Sequence, residues 1–268
     1  WALLAPLLIA GGYAAALGLE FFWLRASYAG NSGERPRLHE LLSAWKDEIL
    51  IAPQVFLWRQ PFRAAAIPDF LPDDALGRRG VVLMHGFFCN RGLWNPWMQR
   101  LRGRGTPFVA LTLEPAFGSI DRYVDAIEAA VVRLHTATGV APVLLGHSMG
   151  GLAIRAWVAR RGQTARFHRA ITIGTPHRGT WLARHARTPN GREMRIDSPW
   201  LDALVRAEAD RDHGRFTCFW GHCDNIVFPT RAATLPGADN RHITQTPHVA
   251  MAFHPEVIEE LLRSLETS

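Results

Sequence analysis

Hydrophobic positions fall into three patterns along this chain. From Trp1 to Leu19 every residue is apolar, Gly, Pro or Tyr, and after the single charge Glu20 the run resumes with Phe21, Phe22, Trp23 and Leu24. As a helix, Trp1 to Leu19 would span about 28 Å, close to the hydrocarbon thickness of a bilayer. Phe21, Phe22 and Trp23, followed by Arg25, read as an interfacial anchor. Residues 1–24 are therefore expected to be a transmembrane anchor, or else a signal peptide cleaved near Ala14-Ala15-Ala16. Cleavage there would leave Leu17 to Leu24 as an apolar terminus, which favours the anchor. The positive-inside rule gives no topology here. Residues 25–36, mostly small, polar and turn-forming, read as a linker.

The second pattern is a series of short apolar runs: Val81 to Met84, Phe108 to Leu113, Val143 to Leu145, Ala170 to Ile173 and Phe216 to Trp220. Arg241 to Thr246 reads as a further strand. Segments of the third pattern, apolar residues at helical spacing, lie between them. The clearest follows Ser119, with Ile120, Val124, Ile127, Val131 and Leu134 on one face before Gly139. Pro255 to Leu265 makes a closing helix. Such alternation predicts an α/β fold over residues 37–268, a mostly parallel sheet with helices on both faces.

A chain of 268 residues, 48% hydrophobic and 20% charged, excludes disorder and collagen-like repeats. The formal charge is +6, but the arginines are scattered and Lys46 is the one lysine, so no basic stripe marks a nucleic-acid surface. The excess charge suits solubility or an anionic membrane surface. Three cysteines are too few for a disulfide framework; Cys218 and Cys223 are the pair open to an oxidising compartment, with Cys89 left over. No Cys or His cluster has zinc spacing, so neither metal nor cofactor is expected.

Chemistry concentrates at Gly146-His147-Ser148-Met149-Gly150-Gly151, which lies between a strand and a helix. A serine on so sharp a turn has a strained backbone and needs neighbours without side chains, so Ser148 reads as a nucleophile projecting above the sheet edge. Upstream, the first strand ends in His85-Gly86-Phe87-Phe88. The N–H groups of Phe87 and Met149 are the expected oxyanion hole. His85 and His147 read as packing or buttressing residues.

HGFFCNRGLW at 85–94, GHSMGG at 146–151 and GTPHRGT at 174–180 together resemble the α/β-hydrolase superfamily, and within it the bacterial triacylglycerol lipases and esterases. The similarity runs from Val81 to the C-terminus and leaves residues 1–80 unassigned. It implies the order Ser, Asp or Glu, His, which makes Asp224, in the loop after Phe216 to Trp220, the acid. Among the late histidines, His242 falls in a strand and His254 abuts Pro255. His248, in the loop between them, is where the family places its base. His177 and Arg178 suggest phosphate binding, but the resemblance implies a structural or pocket-lining role. Residues 181–215, with an amphipathic piece near 199–209, are either a cap over the acyl pocket or a packed surface helix. Some secreted members of the group bind structural calcium, which the resemblance leaves open here without assigning its ligands.

The expected function is ester hydrolysis through an acyl-enzyme on Ser148, with a lipid-like acyl ester as substrate and the bilayer met through residues 1–24 at a bacterial inner membrane. An acyltransferase or thioesterase on the same triad, or a non-catalytic binding protein on a hydrolase fold, are the alternatives. Oligomeric state is not legible in the sequence.

Overall fold

The computed structural model describes residues 4–28, 35–209 and 211–266. The strands are β1 Val81–Met84, β2 Phe108–Ala110, β3 Val143–His147, β4 Ala170–Ile173, β5 Phe216–Gly221 and β6 Asp239–Ile243. They form one sheet in the order β2-β1-β3-β4-β5-β6, and every neighbouring pair is parallel. An isolated antiparallel bridge joins Phe70 to Phe108 at the β2 edge.

The α-helices are α1 Leu4–Ser27, α2 Leu38–Pro53, α3 Gln60–Arg63, α4 Asn95–Gly103 and α5 Val124–Thr138. After them come α6 Met149–Arg161, α7 Pro189–Glu193, α8 Pro199–Ala207, α9 His248–Met251 and α10 Pro255–Glu266.

Strand side chains alternate between the two faces of the sheet. Val82, Met84, Leu144 and Cys218 pack with Ile127, Val131 and Leu134 of α5 and Leu152 and Trp157 of α6. Val81, Leu83, Leu145, Ile171 and Phe219 pack on the other side with Trp94, Trp97 and the α10 residues Val257 and Leu261. Because both faces are covered, the inner strands read as unbroken apolar runs. The element after Ser119 opens as a 3₁₀ turn, Ile120–Tyr123, before α5 continues it. It stops at Gly139, whose φ of 73° is a left-handed cap that glycine adopts without strain.

The N-terminal segment departs from expectation. Among the described residues no helix is long and apolar enough to cross a membrane. Rather than facing lipid, the second half of α1 packs on the domain: Phe21, Leu24 and Tyr28 are buried with Leu41 and Ala44 of α2 and with Cys223 and Phe228. The Trp45 indole donates to the Ala14 carbonyl at 2.9 Å, and the Tyr28 hydroxyl meets Thr230 Oγ1. Glu20, a charge that a bilayer would penalise, is hydrogen-bonded to Asn225. The transmembrane reading is thus corrected: no described helix is long and apolar enough to span, and Phe21 and Leu24 are buried against the domain. Residues 29–34 of the expected linker, and residues 1–3, lie outside the described residues.

In the 181–215 segment, α7 packs beside the Ile120–Tyr123 turn and α8 beside α6. In α8, Ser198 caps the helix by accepting the Leu201 N–H at 3.2 Å, and Leu201 and Leu204 are buried. Just beyond α8, Glu208 forms a buried ion pair with Arg155 of α6. Cys218 and Cys223 are free thiols, as is Cys89.

Candidate active site

Strand β3 runs into Ser148, which holds φ 55° and ψ −125° before α6 begins. A serine in this region is strained and persists only where its surroundings enforce it. Here the Ser148 N–H donates to the Ile173 carbonyl at 2.8 Å, and the Ser148 carbonyl accepts from Thr175 Oγ1 at 2.9 Å. A Cβ at Gly150 would collide with the carbonyl oxygens of Met84 and His85, so the elbow rests directly on the exit of β1. A Cβ at Gly86 would lie 2.9 Å from the Ser148 Cβ, which puts the Gly86-Phe87 turn against the serine. Met149 opens α6, so its N–H has no acceptor within the helix.

Asp224 lies beyond the end of β5 and His248 opens α9, beyond the end of β6. Both carboxylate oxygens of Asp224 are 3.0 Å from His248 Nδ1, and Oδ1 also accepts the N–H groups of Ile226 and Val227 at 2.9 and 2.8 Å. Both residues are buried. With Nδ1 engaged by Asp224, Nε2 is the ring nitrogen left for another partner. His248 and Ser148 line the same cavity, of about 280 Å³. Burial alone would lower the His248 pKa, but the charge and hydrogen bond of Asp224 outweigh it, aided by Glu48 and Glu20, and the net shift is upward.

The remaining histidines take other positions. His85 donates from Nδ1 to the Gly86 carbonyl at 2.8 Å and accepts the Leu113 N–H on Nε2 at 2.8 Å. Burial pushes its pKa down to about 4, so it is a neutral brace for the loop. His147 donates from Nε2 to the His248 carbonyl at 3.0 Å and stacks on the His248 ring. Its pKa is pushed down to about 3, mainly by burial, so it packs against His248 as a neutral ring. His242 pairs with His222 and lies over Trp220. The His254 ring accepts a long contact on Nδ1 from the Glu256 N–H, at 3.4 Å. His177 is bonded to Thr172, and Arg178 reaches Thr234 and the Arg231 carbonyl. Neither His177 nor Arg178 lines the cavity of Ser148.

Three residues at this site escaped the sequence reading: Glu20, Glu48 and Asn225. Asn225 Nδ2 donates to Glu20 at 2.6 Å, and its Oδ1 accepts the His248 N–H at 3.1 Å. Glu48 Oε1 accepts the Val249 N–H at 3.1 Å. The roof of the cavity comes from α1 (Tyr13, Leu17, Glu20), α2 (Glu48, Ala52) and Phe56; no residue of 181–215 lines it. Sequence leaves open whether 181–215 is a cap or a packed surface helix; its described residues do not line this cavity, whereas residues of α1 and α2 do. One signal was present, since Leu41, Ala44, Glu48 and Ala52 fall on one helical face and Glu48 is the single charge in it.

The model of the Alpha/beta hydrolase family matches residues 81–261, more than half of the chain. The chain belongs to the α/β hydrolases. No curated protein matches it. Among solved structures, this α/β hydrolase is similar to the mature Bacillus licheniformis lipase BlEst2, at 16% identity and a TM-score of 0.61, covering 74% of this chain and 95% of that one. It is also similar to Aspergillus fumigatus lipase B (19% identity, TM-score 0.63, 71% of this chain and 53% of that one). A monoacylglycerol lipase from Paleococcus ferrophilus aligns at 17% identity with a TM-score of 0.51, over 70% of this chain and 97% of that one. At these identities the likeness establishes the fold of the hydrolase. Among its described residues, no group of three or more His, Cys, Asp or Glu side chains could hold a metal ion.

Proposed function

We propose that this α/β hydrolase cleaves carboxylic esters with Ser148 as nucleophile, His248 as base and Asp224 as the orienting acid. The observation that carries the reading is the buried Asp224–His248 pair at one wall of the cavity into which the strained Ser148 projects. Ser148 Oγ attacks the ester carbonyl carbon while His248 Nε2 takes its proton. The oxyanion of the tetrahedral intermediate is held by the N–H groups of Phe87 and Met149. As it collapses, the carbon–oxygen bond to the alcohol breaks and the alcohol leaves with the proton from His248. Water, deprotonated in turn by His248, attacks the acyl carbon, and the acid departs as Ser148 recovers its proton. The scheme needs no cofactor.

A lipid-like acyl ester suits the surroundings. The cavity wall is mostly apolar, and Phe56 and Phe88, which line it, are exposed, Phe88 in contact with the exposed Phe117. The lipases among the similar folds favour the same substrate class. Hydrolysis of p-nitrophenyl esters from acetate to palmitate, beside labelling by a fluorophosphonate, tests the reading. Labelling that maps to Ser148, and rates that rise from acetate toward longer chains, are expected. Absence of labelling together with absence of ester cleavage would refute it.

A further inference from the structure

The candidate base is carried on a very short element. His248 opens α9, a single turn preceded by Pro247, whose side chain has no acceptor for the N–H groups that begin it. Within the turn the Met251 N–H reaches the Pro247 carbonyl at 3.0 Å, so the N–H groups of His248, Val249 and Ala250 look outside it for acceptors. Distant segments supply them. Asn225 Oδ1 accepts the His248 N–H at 3.1 Å, and Glu48 Oε1 accepts the Val249 N–H at 3.1 Å, with the Ala250 N–H also bonded to that carboxyl. Helix α2, which carries Glu48, lies against α9. The Glu48 side chain pays for this position in lost hydration: it is 2% exposed, and burial pushes its pKa up to about 7 against the pull of His248 and the two N–H groups. Glu48, and the Glu20 on which Asn225 rests, both precede the region 81–261 that matches the family, so this support of the base comes from chain outside the match.

We infer that Glu48 is a positioning residue for His248: by holding the Val249 and Ala250 N–H groups it fixes the one-turn helix that carries the imidazole, and so sets the reach of the base toward Ser148. The inference rests on the proposed ester hydrolysis and adds a residue that acts on the base through its backbone. Tasks around the imidazole are then divided. Asp224 holds Nδ1 and with it the rotation of the ring, His147 bonds the His248 carbonyl, and Asn225 and Glu48 hold the N–H groups of the turn. A displacement of about 1 Å between catalytic groups costs on the order of 10²-fold in rate, which sets the size of effect that a loosened turn would have. Charge is a separate influence. The titratable groups that face His248 are Asp224 from the loop after β5, Glu48 from α2, Glu20 from α1 and His147 from the end of β3, and the three carboxylates raise its pKa. An amide oxygen in place of the carboxylate would keep the backbone bonds and remove one of those charges.

The test uses the full chain, p-nitrophenyl octanoate and two substitutions that separate reach from charge. Glu48→Gln keeps an acceptor oxygen in place and loses the charge, whereas Glu48→Asp keeps the charge and withdraws the oxygens by one methylene. On the high-pH plateau Glu48→Gln should hold kcat within about threefold of wild type, with the low-pH limb of kcat/KM moved to lower pH, because one carboxylate that raises the His248 pKa is gone. Glu48→Asp should lose about 10²-fold in kcat with KM within about threefold, and its labelling by a fluorophosphonate should slow in parallel. A folded Glu48→Asp with wild-type kcat overturns the inference, as does a loss that falls in KM alone. A plateau loss in Glu48→Gln as large as that in Glu48→Asp assigns the effect to charge and overturns it too. If circular dichroism shows that Glu48→Asp does not fold, Glu48→Gln decides: plateau kcat near wild type supports the inference, and a loss of about tenfold or more overturns it. Labelling keeps the two readings apart. An active wild type labelled at Ser148, beside an equally active Glu48→Asp, refutes only the role of Glu48, whereas an unlabelled, inactive wild type refutes ester hydrolysis itself.

Discussion

Glu20 and Asn225, 205 residues apart in sequence, meet at 2.6 Å. The same Asn225 side chain accepts the backbone N–H of His248, so the first helix is tied through one amide to the candidate base. A chain segment that reads as membrane-bound in sequence is therefore part of the site.

The pH dependence of turnover should report this link. His248 takes the serine proton only when neutral, and its pKa is raised above the ordinary 6.5 by Asp224, Glu48 and Glu20 against the effect of burial. Activity should thus be lost as pH falls through a value above that of a free imidazole. Glu20→Gln removes one of the carboxylates and should move this limb to lower pH. A pH profile of kcat/KM that does not move would separate Glu20 from the base.

Ser148→Ala should abolish fluorophosphonate labelling and lower ester hydrolysis by about 10⁴-fold or more, leaving a residue of rate from the oxyanion hole. Circular dichroism should be unchanged, because alanine meets no more steric strain at this φ than serine does.

Asp224→Asn should also lose about 10⁴-fold, since an amide at this position stabilises the wrong tautomer of His248. His254→Ala should leave the rate near wild type, and a larger loss there than in His248→Ala would reverse the choice of base.

Leu24 is fully buried where α1 meets α2 and the loop after β5. Leu24→Ala should lower stability by about 2–5 kcal/mol in denaturant melts. Deletion of residues 1–28 should give a destabilised protein with little activity, because it strips the roof of the cavity and the partner of Asn225. A truncated protein as stable and active as the full chain would show that α1 is dispensable.

Arg155 of α6 and Glu208 form an ion pair, both partners nearly inaccessible. Arg155→Met leaves the carboxylate buried with His213 as its remaining charged neighbour and should cost about 3–5 kcal/mol. Although burial raises the Glu208 pKa, His213 and Arg155 outweigh it and hold it below the ordinary carboxylate value. Its contribution to stability is then present above the unfolded-state pKa and lost as pH falls through the folded one. Wild type and Arg155→Met should accordingly converge in acid. Equal stability at neutral pH would count against the pair.

Local pattern alone determined the parallel sheet, the elbow at Ser148 and the run of motifs that names the family. Those features depend on residues adjacent in sequence: an apolar strand, glycines that permit close approach, a helix that starts at once. Asp224 and His248 are candidates through the resemblance to the family, and the loops that carry them, at the carboxyl ends of β5 and β6, bring the two side chains within 3.0 Å. What only the tertiary structure decided is which surface each apolar helix buries and which polar groups meet across it. An apolar run such as that from Trp1 to Leu24 carries the same residues whether it faces hydrocarbon or protein, and burial in either removes similar apolar area from water. In its described part, Ala14, Glu20, Phe21 and Leu24 meet Trp45, Asn225 and Phe228, all distant in sequence. Glu48 and Glu20 followed the helices that carry them, and so a roof over the cavity, with two carboxylates beside the base, was settled by packing.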